Sequence, residues 1–395
     1  MHSLKLLLFL LPAALAAPAA KDDDIVEGKY IVTLKQKIAE DRLEEHLLWA
    51  GNIHEGSLFR RNEEGVDKVW NDTFKGYSGE FDKETIKEIK KSDDVLSVEP
   101  VRKIHLYQSV TTQNPSVWGL GSISHRTPGW REYPYHSSAG QGMYAYVIDT
   151  GININHEDFG GRAFLGYNAQ QGTPFADANG HGTHCAGTIA GREHGVAKRA
   201  NVIAVKVFHT GSSTTDIVLD GLEWAVSNIT NTPGRTQQSV ISMSLGGGRS
   251  DAINRAVDTA YRAGVLTVVA AGNDNADARN YSPASAPNAI TVGAIDIDNN
   301  RAGFSNFGAV VDLFAPGVDI RSTWIGSNTA TQVLSGTSMA CPHVAGLALY
   351  LRASERLTTA ESVTRRIKEL ATSKAVRNAG SGSPNLLAYN GVTGA

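Results

Sequence analysis

The sequence predicts an α/β protein, a mostly parallel sheet with helices on both faces, preceded by a small, highly charged α+β unit. Three observations carry this. Short apolar runs at 143–148, 202–207, 240–244 and 265–270 lack polar alternation, as strands buried on both faces require. Helical patterns fall between them, notably at 215–227 and 251–263, so strand and helix alternate along the chain. Charge is also unevenly spread: residues 20–110 hold 15 Lys/Arg and 20 Asp/Glu, whereas the far longer segment 111–395 holds 21 and 20. The first segment is more than twice as densely charged and is expected to fold around a thin core of its own.

Taken in order, the chain starts with a positive Lys5, an apolar run at 6–11 and the small residues Ala14-Leu15-Ala16, the pattern of a secretory signal over 1–19. That run is too short to span a bilayer, and no later segment reaches ~20 uninterrupted apolar residues, which disfavours a membrane anchor. The expected location is extracellular. In 20–110, residues 29–34 alternate like a strand and 39–50 read as an amphipathic helix. Residues 82–91 read as a second helix, acidic early and lysine-rich late as the helix dipole favours, and 95–98 as a further strand. This gives a β-α-β-rich, ferredoxin-like unit. The polar stretch 111–116 reads as an exposed linker, so the chain divides into 1–19, 20–110 and 111–395. A net charge of −3 points to no nucleic-acid partner, and a monomer is expected. Two cysteines, Cys185 and Cys341, allow one bridge at most; free buried thiols remain an equal alternative.

Three motifs bear chemistry. Asp149-Thr150-Gly151 follows a predicted strand, putting a carboxylate at its carboxyl end, where α/β proteins build their sites. His181-Gly182-Thr183-His184-Cys185 runs into a helix; an imidazole there suits proton transfer near neutral pH, with His184 a rival for the role. Ser338, in Gly336-Thr337-Ser338-Met339-Ala340-Cys341-Pro342, precedes an apolar helix over 344–351 whose N-terminus offers amide donors to a developing oxyanion. In Ala271-Gly272-Asn273, the Asn273 amide offers a further donor. Each has a bland counterpart when taken alone: Asp149 and Asn273 as turn residues, Ser338 as a helix cap. A zinc set of His181, His184 and Cys185 lacks a partner motif. The order Asp, His, Ser is what distinguishes this combination from other triad hydrolases.

Together these segments resemble the subtilisin family of serine proteases, most closely its proteinase K branch. The likeness spans residues from about 118 to 389 and includes Gly195-Val196-Ala197, Ser244-Leu245-Gly246-Gly247-Gly248 and Asn385-Leu386-Leu387-Ala388-Tyr389. Segment 20–110 resembles the inhibitory propeptide that precedes such domains. The resemblance implies that Asp149 orients His181, His181 activates Ser338, and Asn273 with the Ser338 amide forms the oxyanion hole. It settles the histidine contest for His181. Protein and peptide substrates would lie along Ser244, Leu245 and Gly246, with Ala270 and Gly272 walling the pocket for the residue before the scissile bond. Those residues are small or apolar with no buried acid evident, so large hydrophobic side chains are expected there. Asp312 with the carbonyls of Pro287 and Ala289 matches the proteinase K calcium site; a second site is doubtful because Arg126 and Glu369 stand where that enzyme has Thr and Asp. Its disulfides have no counterparts here, and Cys185 and Cys341 are expected to be reduced.

Two other classes are disfavoured. An α/β-hydrolase lipase carries Ser in a Gly-x-Ser-x-Gly elbow ahead of its acid and His, whereas here the order is reversed and Ala340 replaces the second Gly. A non-enzymatic binding protein on this fold would need a damaged triad, and all four chemical residues are present. Asn71, Asn228 and Asn280 start glycosylation sequons, with Asn280 expected to be enclosed by the nearby site.

Overall fold

The structure is a computed structural model that describes residues 25–58, 65–102 and 109–392; the signal segment 1–19 lies outside them. The chain divides between Tyr107 and Gln108 into two compact units.

The first unit follows the order β1 (Ile25–Leu34), α1 (Glu40–Gly56), β2 (Gly65–Asn71), β3 (Lys75–Glu80), α2 (Lys83–Ile89), β4 (Val95–Arg102). Its antiparallel sheet has the spatial order β2-β3-β1-β4, the split β-α-β arrangement of ferredoxin-like folds. Asp82 caps α2 by accepting the N–H groups of Glu84 and Thr85 at 2.8 and 2.9 Å, two of the donors a helix start leaves orphaned. Val32, Leu34, Leu43, Tyr77, Phe81, Ile86 and Ile89 form the small core. The sequence missed β2 and β3, whose mixed residues show no clean alternation.

The second unit opens with β5 (Val110–Gln113), α3 (Trp118–Ser124) and β6 (Tyr133–His136). Here the structure corrects the reading of 111–116 as a linker. Residues 110–113 are a strand paired with β6, from Val110 opposite His136 to Gln113 opposite Tyr133. Next come β7 (Tyr144–Asp149), β8 (Ala163–Asn168), α4 (His181–Ala190), β9 (Asn201–Lys206), α5 (Thr215–Asn231), α6 (Arg235–Gln238) and β10 (Ser239–Met243). They are followed by β11 (Gly247–Gly248), α7 (Asp251–Arg262), β12 (Leu266–Ala270), β13 (Tyr281–Ser282), β14 (Ile290–Ile295) and β15 (Leu313–Pro316). The chain ends with β16 (Ile320–Thr323), β17 (Thr331–Leu334), α8 (Thr337–Glu355), α9 (Ala360–Leu370), β18 (Thr372–Ser373) and β19 (Leu386–Leu387).

The main sheet runs β18-β19-β15-β14-β12-β10-β7-β9-β8 and is parallel throughout except for the β18–β19 pair. Alternate residues of each strand enter opposite cores, which is why the strands read as continuous apolar runs. Ala145 and Val147 of β7 pack with Cys185, Ala186 and Ile189 of α4 and Val344, Leu347 and Ala348 of α8. Tyr146 and Ile148 face the other way, onto the core that holds Val218, Leu222 and Ile229 of α5 and Val257 of α7. After β7 the chain builds β8 and β9 on one side and β10 onward on the other. The β7–β10 boundary is therefore a topological switch point, with a crevice at the strands' carboxyl ends.

Candidate active site

Asp149 is the last residue of β7 and 2 % exposed. Its carboxylate accepts the Thr150 N–H at 2.8 Å and lies 2.8 and 3.0 Å from His181 Nδ1 through its two oxygens. His181 begins α4, and that helix can approach β7 because residue 182 lacks a side chain: a Cβ on Gly182 would sit 2.2 Å from the Gly151 carbonyl oxygen. Burial lowers the affinity of the ring for a proton, but the Asp149 charge, helped by the Cys185 thiol, outweighs it and holds His181 well above the usual histidine value. With Nδ1 engaged, Nε2 is the nitrogen left for proton exchange. His184 is elsewhere in its chemistry. Its Nε2 meets the carbonyls of Ile320 and Gln332 at 2.9 and 3.2 Å, and burial pushes it down to about 4.

Ser338 is the second residue of α8 rather than a residue ahead of it, and Pro342 stands sixth, inside the helix rather than before it. That proline has no N–H to give to the carbonyl four residues earlier, which is that of Ser338. Two side chains take the vacated acceptor: Ser244 Oγ at 2.9 Å and Cys185 Sγ at 3.4 Å. The Ser338 hydroxyl itself donates to the Ser244 carbonyl at 3.1 Å. The Cys185 thiol is also 3.9 Å from His181 Nδ1, so it touches both His181 and the Ser338 backbone. The Ser338 hydroxyl is thus bonded to Ser244 rather than to the imidazole, and catalytic hydrogen bonds are often unformed without substrate. Cys185 and Cys341 are both free and buried; burial raises the Cys185 thiol and pushes Cys341 up to about 12.

Asn273 follows β12. Its Oδ1 accepts both the N–H and the hydroxyl of Thr337, each at 2.8 Å. A backbone N–H can only donate, so it fixes which end of the amide is oxygen and leaves Nδ2 as a donor. Nδ2 and the Ser338 N–H converge: a Cβ on Gly336 would lie 3.6 Å from each nitrogen. Two donors bordering one small space can stabilise a tetrahedral oxyanion.

A profile of the subtilase family matches residues 140–390, and one described as peptidase inhibitor I9 matches residues 29–107. The chain belongs to the subtilase family. It is 54 % identical to an alkaline proteinase of Hapsidospora chrysogena, over 99 % of this chain and 98 % of that one. It is 55 % identical to subtilisin-like proteinase Mp1 of Magnaporthiopsis poae, over 96 % of each chain. A crystal structure of a cold adapted subtilisin-like serine proteinase, 43 % identical, superposes with a TM-score of 0.66 over 71 % of this chain and all of its own. This subtilase is a serine protease with an N-terminal inhibitor-type domain.

Beside the subtilase serine lies a cleft of about 330 Å³ lined by Leu245, Gly246, Ala270 and Gly272, together with Tyr281 and the exposed Asp274. Ser244 does not line it but lies beneath Ser338. The sequence leads us to expect no buried acid here; Asp274 stands at the rim, exposed, where its carboxylate meets the Tyr281 hydroxyl. Thr337 clamps the cleft wall to α8, its Oγ1 accepting the Gly272 N–H at 3.1 Å.

The residues expected to hold calcium lie at the amino ends of two adjacent strands: Pro287 and Ala289 precede β14, and Asp312 precedes β15. Asp312 accepts the Thr291 N–H at 2.8 Å through one oxygen and an ion pair from Lys368 of α9 at 2.7 Å through the other. All-oxygen donors suit a hard cation. The sole carboxylate of the set is shared with an ammonium, in a pair whose lysine is 43 % exposed and which is worth at most about 1 kcal/mol. At the doubtful second position, Arg126 stacks over Tyr389 and donates to Leu370 O and Thr372 Oγ1. Asn280 is exposed, contrary to the enclosure expected, and Asn71 is exposed at the end of β2. Asn228, within α5, accepts the Tyr146 hydroxyl at 2.6 Å. No described helix is long and apolar enough to cross a membrane.

Proposed function

We propose that this subtilase is a secreted endopeptidase zymogen, with residues 1–19 a signal, 20–110 an inhibitory propeptide and 111–395 the catalytic domain. Asp149 orients His181, Nε2 of His181 takes the Ser338 proton and returns it to the leaving amine, and Asn273 Nδ2 with the Ser338 N–H holds the oxyanion. The Asp149–His181 bond is the observation that carries this reading, since it commits one imidazole to one carboxylate and leaves Nε2 to serve the half-buried Ser338. The test is hydrolysis of casein and of a chromogenic peptide, blocked by a serine-directed fluorophosphonate. Activity untouched by that reagent sinks the proposal.

Asn273→Asp keeps the acceptor that Thr337 needs and removes the donor. It should lower kcat by about 10²–10³ with KM little changed, a magnitude taken over from subtilisin itself. An unaltered kcat would remove Asn273 from the oxyanion hole.

Substrate recognition is broad, because an extended chain adds as a strand along Ser244, Leu245 and Gly246 through main-chain bonds. Asp274 is the one acid of the cleft lining and is exposed to water, so a basic side chain gains little there. Cleavage after Phe or Leu should exceed cleavage after Arg by on the order of tenfold in kcat/KM across a peptide panel. Faster cleavage after Arg refutes this.

A calcium ion held by Asp312 and the Pro287 and Ala289 carbonyls stabilises the folded enzyme by binding it alone. Millimolar calcium should raise Tm by a few degrees, and Lys368→Ala should tighten calcium binding several-fold by removing the competing ammonium. Calorimetric titration that finds no binding in either protein sets the site aside. The enzyme cuts its own precursor between about Gln108 and Asn114, and the pairing of Val110 onward in β5 favours the start of that stretch. Glycans at Asn71 and Asn280 fit their exposure.

A further inference from the structure

We infer that Asp177 and Lys206, neither of them a member of the triad, are positioning residues that hold Asp149 and His181 in register across the gap between β7 and α4. The inference rests on the proposed triad and extends it outward by one layer.

Asp177 lies in the loop before α4 and is 8 % exposed. One of its carboxylate oxygens accepts Thr150 Oγ1 at 2.8 Å, Asn179 N at 3.1 Å and Gly180 N at 2.8 Å; the other accepts Thr183 N at 3.0 Å and Thr183 Oγ1 at 2.6 Å. Five donors on one buried carboxylate satisfy it fully, and they come from two separate segments. Thr150 is the neighbour of Asp149, while Asn179, Gly180 and Thr183 bracket His181. Thr150 Oγ1 in turn accepts the Gly182 N–H at 2.9 Å, and Asn179 Oδ1 accepts the His181 N–H at 3.2 Å. The backbone on either side of the Asp149–His181 bond is therefore tied to one carboxylate.

Lys206 closes the frame from below. It ends β9 directly opposite Asp149 in the sheet register and is fully buried. Its ammonium donates to Thr150 O at 2.7 Å and to Ala176 O at 3.2 Å, joining the same two segments. A buried lysine is costly unless charge nearby compensates it. Here burial lowers its proton affinity while Asp177 and Asp149 oppose that loss.

The charged and titratable groups that act on His181 are Asp149 from β7 and Cys185 and His184 from its own helix; Asp177 and Lys206 touch Thr150, next to Asp149, and Lys206 also feels the Asp149 and Asp177 charges. Removing a negative neighbour lowers the imidazole's proton affinity, and removing a positive one raises it. In Asp177→Asn the rising limb of the kcat/KM–pH profile should move to lower pH; in Lys206→Met it should move to higher pH. In both, kcat should fall by about 10²-fold with KM nearly unchanged, the scale of a misplaced catalytic group.

The experiment uses mature enzyme from precursors cleaved in trans, so that slow self-processing does not hide the effect. It measures kcat, KM, the pH profile and Tm. Opposite limb displacements with kcat-specific losses support the inference. Limbs that stay in place, or losses shared between kcat and KM that track Tm, overturn it. Should either variant fail to fold, Thr150→Val removes the Thr150 Oγ1 bonds to Asp177 and Gly182, the side-chain links from the Asp149 segment to the His181 segment, and leaves the other Asp177 bonds in place. It should cost on the order of tenfold in kcat, and Thr150→Ser should restore it. Equal activity in the Val and Ser variants overturns the inference. A wild-type enzyme that neither hydrolyses peptide nor labels with fluorophosphonate defeats the protease reading instead, which keeps the two failures apart.

Discussion

Ser338→Ala should lose about 10⁶ in kcat and persist as the uncut precursor, the loss being the scale that subtilisin itself sets for its nucleophile. The substitution removes one atom, the one that forms the bond to the scissile carbonyl. It leaves the Ser338 N–H and Asn273 Nδ2, so hydrolysis should remain measurable above the rate in water. It also leaves the fold intact. The Ser338 side chain makes a single hydrogen bond, to Ser244 O, whereas its backbone carbonyl keeps the Ser244 and Cys185 donors that replace the bond lost to Pro342. Tm should change little, and intact mass should report a chain that still carries residues 20–110. Complete processing of this variant with no other protease present would show that cleavage is not autocatalytic. Retained peptide hydrolysis would place the nucleophile elsewhere.

What the sequence made legible follows from where the physics is local. The strands of the main sheet were readable because burial on both faces leaves continuous apolar runs, and the motifs at their carboxyl ends sat where a switch point needs them. Residues 110–113 were unreadable as a strand. Val-Thr-Thr-Gln is polar and largely exposed, and its order comes from pairing with β6 rather than from any buried face. The start of α8 was hidden by Pro342, because a proline six residues into a helix reads as a boundary unless the orphaned carbonyl has other donors. Those donors, Ser244 and Cys185, lie 94 and 153 residues from Ser338 in the chain.

The same distance effect hid the supporting charges. Lys206 ends an apolar strand and reads as an exposed terminal lysine until β7 is laid beside β9. Asp177, in Asp177-Ala178-Asn179-Gly180, carries a turn signal that was available, since Asp side chains accept backbone N–H groups two and three residues on. Nothing local says that its carboxylate also reaches Thr150, 27 positions earlier. Lys368 likewise meets Asp312 only because α9 folds back toward β15.

Asp149→Asn should lower kcat by about 10⁴ while KM stays near its original value, again on the scale known for such triads. Thr150 N–H donates to Asp149 Oδ1, so an amide in this position keeps its oxygen there and turns its NH₂ to the Oδ2 position, 3.0 Å from His181 Nδ1. A donor facing Nδ1 favours the tautomer with its proton on Nε2, which cannot accept the serine proton. The charge is lost as well. Burial would then act on His181 without the Asp149 charge to oppose it, so the residual activity should rise with pH along a limb displaced to lower pH than in the wild type. Linkage supplies an independent check. A histidine whose folded value is raised contributes stability that is complete below its unfolded value, about 6.5, and that fades as pH climbs through the folded value. Asp149→Asn should therefore lower Tm more at pH 5 than at pH 9. A limb that stays where it is, or a loss of Tm larger at alkaline pH, would mean that Asp149 is not what raises His181.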